Sequence, residues 1–204
     1  MIHPSLHNGP AFANKRIGLL GGSFNPAHEG HVEISAYALK RFQLDQVWWL
    51  VSPQNPLKHT DGMANLKDRV RKAKKLTKDA PHIAVTTLES ELGTRYTIDT
   101  VRALKKHMPE THFVWLMGAD NLLQIEKWHQ WESLFNEIPI AVFRRPGHPI
   151  GKNAGKAACH FASALQKTNK AHLLALQTPP AWLVLNNKGI ALSATQLRKQ
   201  KRGS

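Results

Sequence analysis

The sequence predicts an α/β fold, a doubly wound and mostly parallel sheet with helices on both faces. Strand-like apolar runs alternate with helix-like amphipathic segments along most of the chain, which is typical of parallel strands joined by helices. In addition, the first strand-like run, 16–20, leads directly into a Gly-Gly turn and a helix start. In such folds this is the end of the sheet at which ligands bind.

Five strands are predicted from short apolar runs, and they cover 16–20, 46–51, 82–87, 111–117 and 138–143. The second run, Gln-Val-Trp-Trp-Leu-Val, ends at the turn-rich segment 52–56. A further short strand is possible at 190–192, before a polar C-terminal segment. Runs of this length without helical periodicity indicate buried strands of a parallel sheet.

Helices are predicted where apolar residues recur at helical spacing, over 30–42, 65–78, 97–108 and 128–135. In the first of these, Val32, Ala36 and Leu39 share a face. The apolar face of 65–78 is opposed by a basic face that we expect to be solvated. A helix of small residues is predicted near 154–166, in a segment (147–178) that carries no recognisable chemistry.

Length and composition are those of a globular protein with one domain. The 204 residues are 42% hydrophobic and 21% charged, which is ordinary for a globular chain. We expect a flexible leader over residues 1–14 and a single domain over residues 15–204. Because no run of about 18 apolar residues occurs and residues 1–14 lack the apolar centre of a signal peptide, we expect no membrane contact. The single cysteine, Cys159, favours a reducing cytoplasm.

The chain is strongly basic, with 28 Lys and Arg against 14 Asp and Glu, a net charge of +14. Such a charge is found in proteins that bind nucleic acid, which is therefore the alternative function outside the class of enzymes. However, the basic residues are spread along the chain, and they form no compact stripe with interleaved aromatic residues. A solvated basic surface, together with attraction of a small polyanionic substrate, explains the charge without a nucleic-acid partner.

The segment 21–31 (Gly-Gly-Ser-Phe-Asn-Pro-Ala-His-Glu-Gly-His) predicts a phosphate site. The glycines permit an unusual turn and close approach of a ligand to the main chain. The helix that starts near His28 offers N–H groups without intrahelical partners and the positive end of its dipole. Since His28 and His31 are three residues apart, they share one helix face. The turn matches neither Gly-x-Gly-x-x-Gly nor a Walker loop, which disfavours dehydrogenase and P-loop functions.

This segment resembles the signature of the nucleotidyltransferase superfamily, Gly-Gly-Ser/Thr-Phe-Asp-Pro-x-His-x-Gly-His, and the resemblance implies a Rossmann-like fold. Asn25 stands where aspartate is usual, and we assign it no catalytic role. Near the C-terminus, Leu-Ser-Ala-Thr-Gln-Leu-Arg (192–198) resembles the element with which the superfamily holds the triphosphate of ATP. Ser193, Thr195 and Arg198 match that element, whereas Ala194 replaces a serine. Taken alone, such a segment is more commonly a capped helix with a surface arginine.

The middle of the chain resembles bacterial nicotinate-nucleotide adenylyltransferases, on the segments 53–58, 96–100, 118–120, 128–131 and 144–147. The resemblance implies an enzyme that joins ATP and nicotinate mononucleotide to give deamido-NAD and pyrophosphate in NAD biosynthesis, with Mg²⁺ accompanying ATP. No protein-bound metal is expected. The alternative within the class is a sister adenylyltransferase that uses nicotinamide mononucleotide or phosphopantetheine and differs in its acceptor pocket.

The resemblance assigns each site residue one of three roles. Contact with the reacting phosphates is assigned to His28, His31, Lys58 and Arg198. ATP binding is assigned to Gly21, Gly22, Ser23, Phe24, Gly30, Gly118, Asp120, Ser193 and Thr195. Binding of the mononucleotide is assigned to Tyr96, Thr97, Trp128 and Arg145. Three of these have ordinary alternatives: Trp128 could anchor the core with Trp131, Tyr96 could simply pack, and Asp120 could cap a helix.

Overall fold

The computed structural model describes residues 4–53, 63–144 and 155–186. Within these ranges six parallel strands form one sheet, in the order β3-β2-β1-β4-β5-β6. The strands are β1 (Arg16–Gly22), β2 (Gln46–Val51), β3 (Ile83–Thr86), β4 (His112–Gly118), β5 (Ile140–Arg144) and β6 (Trp182–Asn186). The predicted parallel sheet is confirmed. The strand β6 was not predicted, and the possible strand at 190–192 lies outside the described residues.

Seven α-helices occur in the described part of the chain: α1 (Glu29–Phe42), α2 (Leu66–Leu76), α3 (Leu88–Glu91), α4 (Thr97–His107), α5 (Ala119–Leu122), α6 (Trp131–Glu137) and α7 (Lys156–His160). Four 3-10 helices cover Leu6–Phe12, Ile125–Lys127, Ala162–Ala164 and Thr168–Leu176. The helix predicted over 128–135 therefore begins later, at Trp131. The helix predicted near 154–166 is a single turn of α-helix followed by a 3-10 turn. None of the described helices is long and apolar enough to cross a membrane.

Side chains of the strands alternate between the two faces of the sheet, and each face carries its own hydrophobic cluster. In β2, Trp48 belongs to one cluster and Trp49 to the other. The first cluster includes residues of α4 and α6, such as Leu104 and Phe135. The second includes residues of α1 and of the 3-10 helix Thr168–Leu176. Because both faces are covered, the strands are apolar throughout rather than alternating.

The described part of the predicted flexible leader is packed against the sheet. Residues Leu6–Phe12 form a 3-10 helix, and Phe12 is 2% exposed. Its ring meets Trp48 edge-on, with 5.0 Å between ring centroids. The Thr111 hydroxyl donates to the Phe12 carbonyl oxygen at 2.9 Å. A single buried aromatic residue, Phe12, thus anchors this segment to the core, although its composition did not predict a helix.

The sheet reverses its strand order beside β1, and this reversal positions the site. The strand β1 lies between β2 and β4. The connection after β1 therefore leads to one side, whereas β4 lies on the other. The loops that follow β1 and β4 separate at their carboxyl ends and leave a crevice, which is where open α/β sheets bind ligands.

Candidate active site

A cavity of about 240 Å³ lies at the carboxyl ends of the central strands. Its described lining comes from β1, β4 and the residues that follow β1, β2 and β4, from α3 and the start of α4, and from the segment that leads to α6. The lining residues are Gly21, Gly22, Ser23, Ser52, Glu89, Arg95, Tyr96, Thr97, Trp115, Asp120, Asn121, Gln124, Lys127, Trp128 and His129.

The glycine turn, Gly21–Ser23, lines the cavity, but Gly21 and Gly22 do not adopt the left-handed backbone that glycine permits. Both belong to β1, and the residue with positive φ is Phe24, at 45°. The need for glycine at position 21 is space. A Cβ there would come within 2.6 Å of the Trp115 ring, a distance that real Cβ atoms do not show. Phe24 keeps its place by stacking on Trp49, at 4.8 Å between centroids.

The two histidines meet at the start of α1. Their ring centroids are 3.9 Å apart, and the His28 backbone N–H donates to Nδ1 of His31 at 3.2 Å. Since Nδ1 accepts this hydrogen bond, a neutral His31 carries its proton on Nε2. The His31 ring also contacts Phe24 and Trp49. The two histidines therefore lie on the side of the glycine turn that faces Trp49. The cavity lies on the side that faces Trp115, and neither histidine lines it.

The end of β4 brings a carboxylate to the cavity. Gly118 is the N-cap of α5 and Asp120 is in its first turn. A Cβ on Gly118 would collide with the Asp120 carboxylate, so the glycine leaves room for this side chain to turn back over the main chain. Asp120 lines the cavity beside Asn121 and Gln124.

An aromatic wall closes another side of the cavity. Trp128 lies in the link before α6, and its ring meets Trp115 edge-on with 6.4 Å between centroids. It is half-buried, packed against one hydrophobic cluster while also lining the cavity. By contrast, Trp131 is 8% exposed and Phe135 is fully buried, so these two anchor the core. The helical spacing that linked Trp128 to them was misleading, because the helix begins after Trp128.

The N-terminus of α4 points its first residues at the same cavity. Tyr96 is the N-cap, Thr97 is the first helical residue, and both line the cavity. The first N–H groups of a helix have no intrahelical acceptor and attract anions. The Tyr96 ring packs against His129, at 4.4 Å between centroids, and the Arg95 guanidinium carbon lies 5.7 Å from the Tyr96 ring centroid.

Between the glycine turn and α4, the cavity wall contains a carboxyl group that was not predicted. Glu89 belongs to α3 and lines the cavity with Ser52. Burial raises the pKa of Glu89 to about 7, although the Ser52 hydroxyl donates to its carboxylate and lowers that pKa in part. A substantial fraction of this side chain is therefore protonated near neutral pH.

The structure thus brings seven of the predicted site residues into one cavity: Gly21, Gly22, Ser23, Tyr96, Thr97, Asp120 and Trp128. Five others do not line the cavity but lie beside the glycine turn or at the end of β4: His28, His31, Phe24, Gly30 and Gly118. The remaining five, Lys58, Arg145, Ser193, Thr195 and Arg198, lie outside the described residues. Among the residues that the structure describes, no group of three or more His, Cys, Asp or Glu side chains could hold a metal ion.

Sequence reasoning missed several lining residues, above all Ser52, Glu89, Arg95 and Trp115. Ser52 begins the turn-rich segment 52–56, and its place at the carboxyl end of β2 was a usable signal. Trp115 lies inside β4 and gave none, because an apolar strand residue looks the same whether it lines a cavity or fills the core.

Comparison with known proteins first defines the class. The family model described as cytidylyltransferase-like matches residues 19–200. The fold is also that of a solved structure, the Plasmodium falciparum nicotinic acid mononucleotide adenylyltransferase complexed with NaAD. That structure has a TM-score of 0.69 at 18% sequence identity, over 91% of this chain and 83% of that one. The chain therefore belongs to the cytidylyltransferase-like family, and its fold is that of a nucleotidyltransferase.

Relatives in sequence define the family within that class. The Parvibaculum lavamentivorans protein named "Probable nicotinate-nucleotide adenylyltransferase" is 46% identical, over 91% of this chain and 92% of its own length. A Methylorubrum extorquens protein of the same name is 48% identical, over 90% and 98%. The chain belongs to the nicotinate-nucleotide adenylyltransferase family, and the resemblance seen in the motifs is confirmed.

Proposed function

We propose that this protein transfers the adenylyl group of ATP to the phosphate of nicotinate mononucleotide, forming deamido-NAD and pyrophosphate in NAD biosynthesis. The observation that carries the proposal is a single cavity in which a glycine turn, a helix N-terminus and an aromatic wall meet. The turn Gly21–Ser23 suits phosphate, the start of α4 suits a carboxylate, and Trp128 suits a flat ring. The family's name supports the same reaction.

At the ATP end, the main chain of Gly21–Ser23 approaches the phosphates and Asp120 bonds the ribose hydroxyls. His28 and His31 contact the phosphoryl oxygens from the other side of the turn. Lys58, Ser193, Thr195 and Arg198 complete the triphosphate contacts in the way that the resemblance implies. Mg²⁺ enters with ATP, whose phosphate oxygens are the hard ligands it prefers, and when bound it neutralises charge on the triphosphate.

At the acceptor end, Trp128 stacks on the pyridine ring, and the backbone N–H groups at Tyr96 and Thr97 bind the nicotinate carboxylate. Arg145 is assigned to the same substrate by the resemblance. Arg95, at the cavity edge, adds positive charge that favours the carboxylate over the uncharged amide of nicotinamide mononucleotide.

The chemical step needs no protein nucleophile. A phosphate oxygen of the mononucleotide attacks the α-phosphorus of ATP in line, the bond between that phosphorus and the bridging oxygen breaks, and pyrophosphate leaves. The protein's contribution is positioning and stabilisation of charge on the phosphoryl oxygens. The hydrogen bond from His28 to Nδ1 of His31 leaves the proton of a neutral His31 on Nε2, the atom that donates to such an oxygen.

Pyrophosphate release tests the proposal, measured with MgATP and, in parallel, nicotinate mononucleotide, nicotinamide mononucleotide or phosphopantetheine. We expect a strong preference for nicotinate mononucleotide. Loss of one such hydrogen-bond donor lowers turnover by a factor of about 10²–10³, so we expect a decrease of this size in His31→Ala. His172→Ala, which changes an exposed histidine, should have the turnover of the parent protein.

Trp128→Ala tests the acceptor pocket in the same assay. It should raise KM for the mononucleotide and leave KM for ATP nearly unchanged, and Trp128→Phe should recover most of the difference because it retains an aromatic face. Pyrophosphate release with a different acceptor would show that the protein has the activity of a sister adenylyltransferase. No pyrophosphate release with any of the three acceptors would refute the proposal.

The location of the enzyme is a separate prediction. We propose that it works in the cytoplasm. The single Cys159 supports this, because one cysteine cannot form a disulfide within the chain and disulfides are rare in cytoplasmic proteins.

A further inference from the structure

The basic helix α2 contains one arginine that is not solvated. Arg69 is 2% exposed, although a basic face on this helix was predicted to be wet. Its guanidinium donates to four main-chain carbonyl oxygens. Nε donates to Ala64 at 2.9 Å, Nη1 to Ser23 at 2.6 Å and to Ser52 at 2.8 Å, and Nη2 to Pro53 at 3.0 Å.

Three of these four carbonyls belong to the loops that begin the nucleotide site. Ser23 follows β1 and Ser52 follows β2, and both residues line the cavity. The Ser52 N–H also donates to the Gly22 carbonyl oxygen at 3.0 Å. Arg69 therefore ties together the loops that follow two neighbouring strands, at the first residues beyond the sheet.

The chemistry of this contact requires an arginine. Burial lowers the pKa of Arg69, because removing a cation from water is unfavourable. Hydrogen bonds from a charged donor are stronger than neutral ones, and four of them compensate for the lost hydration. The planar guanidinium carries five N–H donors spread over three nitrogen atoms and can serve all four acceptors, whereas the ammonium group of lysine carries three donors on one atom. An apolar side chain would fill the space but would leave four carbonyl oxygens without this donor.

We propose that Arg69 is a positioning residue of the ATP site: it fixes the spacing between the Ser23 turn and the Ser52 loop, and so holds the glycine turn in the geometry that receives the phosphates. The proposal rests on the proposed function in taking that turn as the phosphate site. Arg69 itself makes no contact with the substrate in this scheme. Small displacements of positioning groups have large effects on rate, which is why its removal is measurable.

The test compares Arg69→Met and Arg69→Lys with Arg71→Met, the matched control. Arg71 lies two residues further on the same helix, is largely exposed and pairs with Asp68. Steady-state kinetics and thermal unfolding are measured for all three, with assays well below the lowest unfolding temperature. We expect Arg69→Met to lower kcat/KM for ATP roughly tenfold or more, with a smaller change in KM for the mononucleotide. The kcat/KM of Arg69→Lys for ATP should lie between those of Arg69→Met and the parent protein, and that of Arg71→Met should equal the parent value.

A second readout is independent of catalysis and remains usable if Arg69→Met does not fold. Hydrogen exchange in Arg69→Lys should be faster than in the parent protein in the segments around Ser23 and Ser52, and unchanged in the distant strand β6. In addition, methylguanidinium should restore ATP turnover to Arg69→Ala and should leave Arg71→Ala unaffected.

Equal kcat/KM for ATP in folded Arg69→Met and the parent protein would overturn the proposal, as would unchanged exchange at both loops. If the parent protein releases no pyrophosphate from ATP and nicotinate mononucleotide, the proposed function fails. The positioning role is then still decided, by loop exchange and by the affinity of each variant for ATP in a binding assay.

Discussion

At the scale of single residues, burial changes the chemistry of Glu89. Its pKa of about 7 lies above the ordinary value of 4.5 because the carboxyl is buried in the cavity wall. Between these two pH values the folded protein binds more protons than the unfolded chain does. The free energy of unfolding therefore falls as the pH rises through this window, and the full loss is present above the folded pKa.

Replacing Glu89 with glutamine removes the charge that burial penalises. Glu89→Gln should gain stability relative to the parent protein as the pH rises, by at most about 3 kcal/mol between about pH 5 and about pH 8. Urea unfolding at both pH values measures the difference. Glu91→Gln, on the exposed side of the same short helix, is the control and should show no such trend. An equal effect of Glu89→Gln at both pH values would show that the carboxyl is not the titrating group.

Site residues that belong to a motif could be predicted from the sequence. Site residues whose position depends on packing in the fold could not. Gly21, Asp120 and Trp128 were found through motifs, and all three line the cavity. The unusual backbone predicted for Gly21 was wrong. The structure requires glycine there because of the Trp115 ring, which comes from a strand about a hundred residues away. The role of Arg69 was not predicted, because its acceptors are main-chain carbonyls, which any sequence contains.

At the scale of elements, the N-terminal 3-10 helix gives a prediction about stability. Phe12 is its anchor in the core, and deleting a large buried aromatic side chain costs about 3–5 kcal/mol. Phe12→Ala should therefore lower the free energy of unfolding by an amount in this range, measured by urea unfolding. His7→Ala, an exposed residue of the same helix, should change it by less than about 0.5 kcal/mol. If the two variants behave alike, the segment is a loosely attached leader, as its composition first indicated.

The helix α1 shows that hydrophobic periodicity predicts the position of a helix in the sequence more reliably than which of its residues are buried. The predicted bounds of α1 agree with the structure within one residue. Of the predicted face, Val32 and Leu39 pack against a hydrophobic cluster, whereas Ala36 does not. Ala36 is exposed, and the buried residues include Ser35 and Ala38. Ser35 is buried because its hydroxyl accepts the indole N–H of Trp49 at 2.8 Å. A polar side chain with a specific partner in the sheet is not distinguishable in sequence from a solvated one.

At the scale of the whole molecule, alternation of strands and helices was enough to predict a parallel sheet covered on both faces. The strand order was not predictable in the same way, because it depends on which side of β1 each later strand pairs. That order places the loops after β1 and β4 at the switch point and so creates the cavity. The site could be located at the carboxyl edge from sequence, but its shape could not.

The net charge of +14 is a property of the whole surface, and it gives the last prediction. Attraction of ATP by spread charges is screened by salt, since the Debye length falls from about 10 Å at 0.1 M to about 3 Å at 1 M ionic strength. Raising NaCl across this range at constant free Mg²⁺ should lower kcat/KM for ATP several-fold and change kcat less. A mixed-sequence RNA, added at low salt, should compete only weakly with ATP. Tight RNA binding that weakens linearly with the logarithm of salt concentration and resists displacement by ATP would instead make the basic surface a nucleic-acid interface.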